Sequence, residues 1–385
     1  MHIAGRTAQL RESVIREMTR LALARGAVNL SQGFPDFDPP PPVLDAAAAA
    51  LTGGQNQYTV SWGLPLLRQR LAERYSAVLG WEVDPDRHVV VTCGVTEAIA
   101  CAFLAVLDRG DEVIVLEPAH ETYGPAALLA DASIVPVVLE PPDHRLDPER
   151  IAAAVTPRTR AVLVNTPHNP TGRVLDAGEL QALAELVVRH DLVVVTDEIY
   201  DEILYDGRTH LAPGSLEALR ERTVTIGGLG KTFAMTGWRL GHAIAPGPLA
   251  VPVRSAHDFL TICAPTPLQA AGAAALTLGD AYLDTMRAEY HERRALFCRT
   301  LDEVGLRAAW PEGAYYAMAD FTAVRGDLDD LAFARWLLDE VGVASVPGRV
   351  FHRDPGHGTT QVRFAFAKRL ETLHDAAERL RAGLA

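Results

Sequence analysis

The chain has 385 residues, of which 48% are hydrophobic and 22% are charged, a composition typical of a globular protein. Its 36 Lys and Arg residues and 49 Asp and Glu residues give a net charge of −13, which disfavours nucleic acid or an anionic membrane as the main partner. The length suggests about two domains. The first residues lack a signal-peptide pattern and the four cysteines form no CxxC pair, so we expect a cytoplasmic protein with reduced thiols.

Short apolar runs alternate with longer amphipathic stretches from residue 89 onward. The runs predicted to be strands cover residues 89–92, 113–116, 134–139, 161–165, 192–196 and 223–226. Their hydrophobicity is continuous, which indicates strands covered on both faces, and the helical patterns between them indicate a mostly parallel sheet. Ligands of such sheets bind beyond the carboxyl ends of the strands.

The segments on either side of this core have a different texture. Residues 31–42 are rich in Pro and Gly and are predicted to form an ordered loop. A long helix is predicted over 281–304, short strands near 315–321, 343–346 and 361–367, and a final helix over 370–384. We therefore predict an N-terminal arm (1–42) that contributes to the small domain and to an active-site loop, a large domain (43–275) and a smaller α+β domain (276–385).

Lys231 follows a predicted strand and a glycine cluster, and Arg239 adds a second cation nearby. A lysine amine attacks an aldehyde only when it is neutral, and burial or a neighbouring cation lowers its pKa. Residue type alone leaves a solvated loop lysine as the alternative. A nucleotide-binding P-loop is disfavoured, because the glycine that this motif needs five residues before Gly230 is replaced by Thr225.

Three polar residues follow the ends of neighbouring predicted strands. Asp197 ends an apolar run, where its carboxylate is placed to accept a hydrogen bond from a cationic ring nitrogen, although a helix cap is an equally simple interpretation. Tyr200 is able to offer its phenol to the same ligand or to serve as a core tyrosine. Asn169 lies in a turn-rich segment, where an Asx-turn is the default expectation.

Along the chain, the order of Asn169, Asp197, Tyr200, Lys231 and Arg239 resembles that of the class I and II pyridoxal 5′-phosphate (PLP)-dependent aminotransferases of fold type I, closest to the kynurenine, glutamine and methionine aminotransferase branch. The segments that carry this resemblance are GFPDFDPPPP, NQYT, NTPHNPTG, TDEIYDEILYDG, GGLGKTFAMTGWRLG, APTPLQAA, PEGAYY and VRFAFAK. The resemblance implies an α/β fold, in which a large domain with a mostly parallel seven-stranded sheet stands beside a smaller α+β domain. It also implies PLP as the cofactor.

The resemblance assigns catalytic roles to Lys231, Asp197 and Tyr200, and a cofactor contact to Asn169. Lys231 matches the lysine that forms a Schiff base with PLP. Asp197 matches the partner of the pyridine nitrogen, while Tyr200 and Asn169 match ligands of the ring hydroxyl.

Further cofactor contacts are implied at the phosphate end. Arg239 matches a phosphate-binding cation, and the backbone at Val95 and Thr96 matches a phosphate-binding helix start. Tyr58 matches a tyrosine that crosses a dimer interface toward the partner's phosphate, so the resemblance implies a homodimer with shared active sites.

Substrate contacts are implied for Arg363, Gly33 and Asn169. Arg363 matches the arginine that binds the substrate α-carboxylate, a task suited to its two-pronged guanidinium. Gly33 matches a backbone contact to the same group.

Two positions depart from the family pattern. His120 replaces the Phe or Tyr that stacks on the cofactor ring, so we expect it over that ring with a depressed pKa or a specialised role; a plain stacking substitute is the alternative. Gly228 replaces a phosphate-binding serine, and the loss of one hydroxyl donor predicts a weaker phosphate grip.

The implied activity is ping-pong transfer of an amino group between an L-amino acid and a 2-oxo acid. No second arginine for a side-chain carboxylate is evident, so we expect an aromatic, sulfur-containing, amide or specialised donor rather than a dicarboxylic one. A PLP-dependent β-lyase or amino-acid oxidase is the alternative. No metal site is predicted, because His120-Glu121 and His291-Glu292 lack a histidine three positions after the glutamate.

Overall fold

The structure is a computed structural model that describes residues 12–384 together with Ile3, Gly5, Ala8 and Leu10. Its strands are β1 (Val28–Asn29), β2 (Val89–Thr92), β3 (Glu112–Glu117), β4 (Ser133–Val138), β5 (Thr159–Asn165), β6 (Val193–Asp197), β7 (Thr223–Gly228), β8 (Gly241–Ile244), β9 (Arg307–Ala308), β10 (Tyr316–Asp320), β11 (Val343–Ala344), β12 (Val346–Pro347) and β13 (Gln361–Ala365). Its helices are α1 (Val14–Arg25), α2 (Pro41–Thr52), α3 (Pro65–Leu79), α4 (Val95–Val106), α5 (Tyr123–Leu129), α6 (Pro148–Ala154), α7 (Ala177–Arg189), α8 (Gly247–Leu260), α9 (Thr266–Ala275), α10 (Gly279–Glu303), α11 (Thr322–Arg325), α12 (Asp330–Trp336) and α13 (Leu370–Leu384).

A seven-stranded sheet in the order β2-β8-β7-β6-β5-β3-β4 forms the centre of the molecule. The pairs β3·β4, β3·β5, β5·β6 and β6·β7 are parallel, whereas β8 is antiparallel to both of its neighbours. β3 is buried along its whole length, because apolar clusters cover both faces of the sheet. The mostly parallel sheet predicted from the sequence is confirmed.

Two predicted segments end differently in the structure. The predicted loop 31–42 is shorter, because α2 begins at Pro41, and proline suits a first helical turn where its missing N–H costs no hydrogen bond. The predicted strand at 343–346 is two short strands: β11 pairs with β1, and β12 pairs with β13. The antiparallel strand β8 was not among the runs predicted from the sequence.

A smaller antiparallel sheet, β12-β13-β10-β9, packs against α10 and α13 in an apolar cluster of its own. The N-terminal segment joins this side of the molecule, because β1 pairs with β11 and the Ala365 N–H donates to the Leu30 carbonyl at 2.8 Å. The predicted domain division stays a prediction. The predicted N-terminal arm includes residues 1, 2, 4, 6, 7, 9 and 11, and the predicted small domain includes residue 385. These residues lie outside the described part of the chain.

The carboxyl ends of β5, β6 and β7 lie side by side and lead directly into the segments that carry Asn169, Tyr200 and Lys231. At the end of β2, Gly94 adopts a φ of 86° before α4 begins, a conformation that favours glycine. Within the described part of the chain, no helix has the length and apolar character needed to cross a membrane.

Candidate active site

A cavity of about 500 Å³ opens at the carboxyl ends of the central strands. Every predicted site residue except Tyr58 lines it, namely Gly33, Val95, Thr96, His120, Asn169, Asp197, Tyr200, Lys231, Arg239 and Arg363. Tyr58 is 76% exposed and does not line the cavity of its own chain. The fold therefore brings together residues that lie more than 300 positions apart along the chain.

Lys231 extends its amine into this cavity, and its Nζ donates a hydrogen bond to the Gly33 carbonyl at 2.9 Å. Burial, together with the positive charges of Arg239 and Arg363, lowers the pKa of Lys231 to about 8, although the charge of Asp197 opposes this shift. A substantial fraction of the amine is therefore neutral near physiological pH, as attack on an aldehyde requires.

Asp197 is a buried carboxylate that accepts two hydrogen bonds. The Tyr123 hydroxyl donates to its Oδ2 at 2.8 Å, and the Ile199 N–H donates to its Oδ1 at 3.3 Å. Burial raises the pKa of Asp197 to about 6, whereas these hydrogen bonds and the charge of Lys231 act in the opposite direction. Asp197 is thus ionised at neutral pH, although it is buried. Sequence reasoning had not assigned a role to Tyr123.

Tyr200 lies between two other aromatic residues. Its hydroxyl is 2.8 Å from the Tyr316 hydroxyl, and its ring meets the rings of Tyr315 and Tyr316 edge to face. Burial raises the pKa of Tyr200 well above its ordinary value, so its phenol keeps its proton. Tyr316 also lines the cavity and was missed in the sequence, although it ends the quoted segment PEGAYY.

Arg363 is 1% exposed, and neutral groups hold its guanidinium in place. Nη1 donates to the Asn169 Oδ1 at 2.8 Å and Nη2 donates to the Ser31 carbonyl at 2.6 Å, while the Tyr316 ring lies 4.4 Å from Cζ. Its Nε has no hydrogen-bond partner among the described residues. A buried cation without a counterion is suited to an anionic ligand. A Cβ on the neighbouring Gly33 would come within 1.9 Å of the Tyr316 hydroxyl, so this approach requires glycine.

The start of α4 and Arg239 form a cradle for an anion. In the described residues, the N–H groups of Val95 and Thr96 have no protein acceptor, and a helix start attracts negative charge. A Cβ on Gly94 would lie 2.5 Å from Nη2 of Arg239, so only glycine lets the guanidinium approach the cradle this closely.

His120 presents a neutral imidazole to the cavity. Its Nδ1 lies 2.8 Å from Oγ1 of Thr122 and 3.4 Å from the Thr122 backbone N–H, which places the ring proton on Nε2. Burial lowers the pKa of His120 to about 3, and the charges of Arg363, Lys231 and Arg16 add to this effect. The low pKa agrees with one of the two expectations for His120, whereas its place over the cofactor ring and a specialised role stay predictions.

Several cavity residues were not predicted from the sequence. Ile15, Arg16 and Gln32 enter from the N-terminal segment, and Glu121 follows His120. None of these residues belongs to a motif recognised in the sequence. Ile15 and Arg16 line the cavity because the folded chain brings α1 beside it. The described residues contain no cluster of three His, Cys, Asp or Glu side chains placed to hold a metal ion.

Comparison with known proteins decides the family. The profile described as "Aminotransferase class I and II" matches residues 25–380. The chain belongs to this family. It is therefore a PLP-dependent aminotransferase with the α/β architecture of fold type I.

The aminotransferase has relatives over nearly its whole length. It is 37% identical to methionine aminotransferase of Escherichia coli over 97% of this chain and 96% of that protein. It is 35% identical to human kynurenine–oxoglutarate transaminase 1, covering 95% and 94% of the two chains. The solved structure of N-succinyldiaminopimelate aminotransferase from Mycobacterium tuberculosis superposes with a TM-score of 0.96 at 40% identity, over 100% of both chains.

The cavity of this aminotransferase fits PLP by its donor set. It combines a buried amine at Lys231, a buried carboxylate at Asp197 and the anion cradle. The cradle has room for Arg239 because Gly94 carries no Cβ, which would clash with its guanidinium. These groups match, in turn, the aldehyde, ring nitrogen and phosphate of the cofactor.

Proposed function

We propose that this aminotransferase transfers an amino group from a non-dicarboxylic L-amino acid, with an aromatic, sulfur-containing, amide or specialised side chain, to a 2-oxo acid in two half-reactions. The observation that carries the proposal is the buried Lys231 amine with a pKa of about 8, which shares one cavity with Asp197 and Arg363. The relatives named for methionine and kynurenine support a donor that is not dicarboxylic. We place the enzyme in the cytoplasm.

Each part of the cofactor has a proposed partner in this cavity. Lys231 would hold the aldehyde carbon, Asp197 the ring nitrogen, Asn169 and Tyr200 the ring hydroxyl, and His120 the ring face. Arg239 and the N–H groups of Val95 and Thr96 would hold the phosphate. When bound, PLP supplies an aldehyde that condenses with amines and a ring that accepts electrons.

Proton transfer falls to Lys231. Once the substrate amine had displaced it from the cofactor, the neutral Lys231 amine would take the proton from the substrate Cα and deliver it to the cofactor's aldehyde carbon, and a pKa of about 8 suits both directions. The Asp197 carboxylate, ionised above its pKa of about 6, keeps a proton on the ring nitrogen. Arg363 binds the substrate α-carboxylate and so orients the Cα–H bond toward Lys231.

We also propose a homodimer. Tyr58, Phe259 and Ile262 are 76%, 93% and 51% exposed. They lie in adjoining segments, because Oγ1 of Thr266 donates to the carbonyl of Gln57 and the His257 ring contacts the Ser61 carbonyl. We call Tyr58, Phe259 and Ile262 the apolar patch. A patch of this kind supports an interface with a second copy, across which Tyr58 reaches the partner's phosphate site.

The proposal is tested by reduction with borohydride and by product analysis. Reduction fixes the cofactor to the amine that holds it, and peptide mass spectrometry then identifies that amine. We expect the label on Lys231. Lys368 is the internal control, because its amine is also buried with a pKa of about 8 but donates to the Phe34 carbonyl outside the cavity.

Products are then measured for a panel of donors and 2-oxo acids. Transfer predicts one new amino acid for each new 2-oxo acid. A label on Lys368, or release of ammonia in place of a new amino acid, would count against the proposal.

A further inference from the structure

Only two of the 36 Lys and Arg residues of the chain are lysines, Lys231 and Lys368. Both amines are buried, and they donate hydrogen bonds to successive carbonyl groups of one short segment. Nζ of Lys231 donates to the Gly33 carbonyl at 2.9 Å, and Nζ of Lys368 donates to the Phe34 carbonyl at 2.7 Å. Lys368 does not line the cavity, so its amine contacts this segment without competing for the cofactor.

Residues 31–34, the 31–34 loop, bring Gln32 and Gly33 to the cavity wall. All four carbonyl groups of the loop accept hydrogen bonds: that of Ser31 from Nη2 of Arg363 at 2.6 Å, that of Gln32 from the Phe34 N–H at 3.0 Å, that of Gly33 from Lys231 and from the Tyr315 hydroxyl at 2.9 Å each, and that of Phe34 from Lys368. By contrast, the Gly33 N–H has no acceptor in the described part of the chain. An N–H group at a cavity wall without a protein partner is left for a ligand.

The cationic donors to the loop differ in what the proposed reaction asks of them. Lys231 would give up its contact with Gly33 when its amine becomes bonded to the cofactor, and Arg363 would share its donors with the substrate α-carboxylate. Lys368 takes part in neither event. Although burial lowers its pKa to about 8, its amine is mostly protonated at pH 7, so it donates a charge-assisted hydrogen bond. Of these three cations, Lys368 alone would keep its full contact with the loop throughout the reaction.

Contacts on both sides hold Lys368 itself in place. Its carbonyl accepts Nε of Arg293 at 2.8 Å, and its amine lies 4.5 Å from the centre of the Phe34 ring. Just beyond the loop, the Asp36 carboxylate accepts the Arg369 N–H at 2.6 Å. Because these bonds join the loop to the residues before α13, the amine of Lys368 is anchored outside the cavity.

We propose that Lys368 is a positioning residue, which holds the 31–34 loop at the cavity wall after Lys231 has turned to the cofactor. The loop then keeps the Gly33 N–H available to the substrate α-carboxylate. Arg363, on β13, binds the same carboxylate and lies five residues before Lys368, so the anchor also keeps the two carboxylate donors at a constant separation. This inference rests on the proposed function, because that function assigns Lys231 to the cofactor and Arg363 to the carboxylate.

Hydrogen exchange measured by mass spectrometry tests this role in the cofactor-free protein and in the holoenzyme. Without the cofactor, Lys368→Met should change the exchange of the peptide that covers the 31–34 loop only slightly, because Lys231 still holds the Gly33 carbonyl. In the holoenzyme this exchange should become about 10-fold faster, since one charge-assisted hydrogen bond is lost and Lys231 no longer compensates for it. Equal acceleration in both states, or none in the holoenzyme, would overturn the proposal, because an anchor with a purely structural role acts alike in both.

Arg294 provides the matched control. Like Lys368 it is 3% exposed, donates to a loop carbonyl, that of Pro311 at 2.8 Å, and lies 4.5 Å from an aromatic ring, that of Tyr205. Arg294→Met should lower the stability toward urea but leave the exchange of the 31–34 loop unchanged in both states. Lys368→Arg keeps a charged donor and should restore slow exchange in the holoenzyme at least in part. If Lys368→Met does not fold, Lys368→Gln replaces it, because its neutral amide also lacks the ammonium charge.

Calorimetry measures the Kd of butyrate, a carboxylate without an amino group, for the holoenzymes. We expect Lys368→Met to weaken butyrate binding about 10-fold, because the Gly33 N–H is no longer held in place, and Arg294→Met to leave the Kd unchanged. An unchanged Kd in Lys368→Met would contradict the positioning role. None of these measurements requires transfer of an amino group. If the wild type transfers none with any substrate pair, the proposed function fails, and the cofactor dependence of loop exchange still decides the role of Lys368.

Discussion

Asp197 combines a cost to stability with a benefit to catalysis. Its pKa rises from an ordinary 3.8 to about 6 because the carboxyl is buried. A raised pKa in the folded state means that the folded protein binds more protons than the unfolded chain between these values. The contribution of Asp197 to stability is therefore fully present below pH 3.8 and is lost as the pH rises through 6.

We predict that Asp197→Asn stabilises the cofactor-free protein by about 3 kcal/mol at pH 8, since the amide removes a buried charge and still accepts the Tyr123 hydroxyl. The gain should shrink as the pH falls from 6 toward 4, and transamination should be lost at every pH. Urea unfolding of both apoproteins across this range measures the effect. A constant difference between the two proteins from pH 4 to 8 would show that the charge of Asp197 is not its cause.

Residues were predictable from the sequence when they stood in a recognisable order. Lys231, Asp197 and Asn169 follow strand ends that the apolar runs marked, so their convergence could be foreseen. Tyr123 could not be assigned in this way. Its contact with Asp197 joins residues 74 positions apart, and no local pattern specifies such a contact.

At the scale of elements, the end of β7 explains why Gly228 replaces the serine expected there. A Cβ on Gly228 would lie 2.6 Å from Cδ1 of Ile199, 3.1 Å from the Leu240 carbonyl oxygen and 3.1 Å from Cγ2 of Val95. Side-chain atoms of Ile199 and Val95 and the carbonyl oxygen of Leu240 thus fill the space of the missing hydroxymethyl group. In the proposed site, the start of α4 and Arg239 would hold the phosphate instead.

We predict that Gly228→Ser destabilises the protein by about 1 to 3 kcal/mol through overpacking, and that it does not tighten cofactor binding. Ile199→Val removes the nearest clashing atom, so the double variant should be more stable than the sum of the two single effects. Urea unfolding of all four proteins gives this coupling energy, and fluorescence titration gives the PLP affinity. Strictly additive losses would refute the packing explanation.

Most of the predicted strands of the large sheet are buried along nearly their whole length, and this burial makes them continuously apolar. β4 was also predicted from its apolar run, although it is only partly buried. β8 escaped prediction because its four residues include Gly241 and His242, which break the apolar run. Both have local causes: a Cβ on Gly241 would lie 2.4 Å from the Gly94 carbonyl carbon, and the His242 ring bonds the Tyr75 hydroxyl at 2.8 Å. These two contacts explain why β8 contains Gly241 and His242 and therefore lacks the continuous apolar run by which the other strands were predicted.

At the scale of the whole molecule, a single chain does not explain why the side chain of Tyr58 is so exposed. Its side chain lies outside the cavity and belongs to the apolar patch, where Phe259 is 93% exposed. Exposed aromatic side chains of this size are costly in water and typical of interface anchors. A two-fold dimer buries the same patch on both copies, which would place each Tyr58 beside the partner's active site.

Hybrid dimers test this arrangement. We predict that Tyr58→Ala and Lys231→Ala are each weakly active or inactive alone, and that mixing them under conditions of subunit exchange restores activity. In the mixed dimer, one site receives both defects and the other receives neither. Random exchange makes about half of the dimers mixed, so about a quarter of the wild-type sites should return. If Tyr58 served its own chain, every site of the mixed dimer would carry one defect and mixing would restore nothing. A mixture of Lys231→Ala with Val188→Asp, a substitution on α7 away from the apolar patch, controls for simple dilution of an active partner.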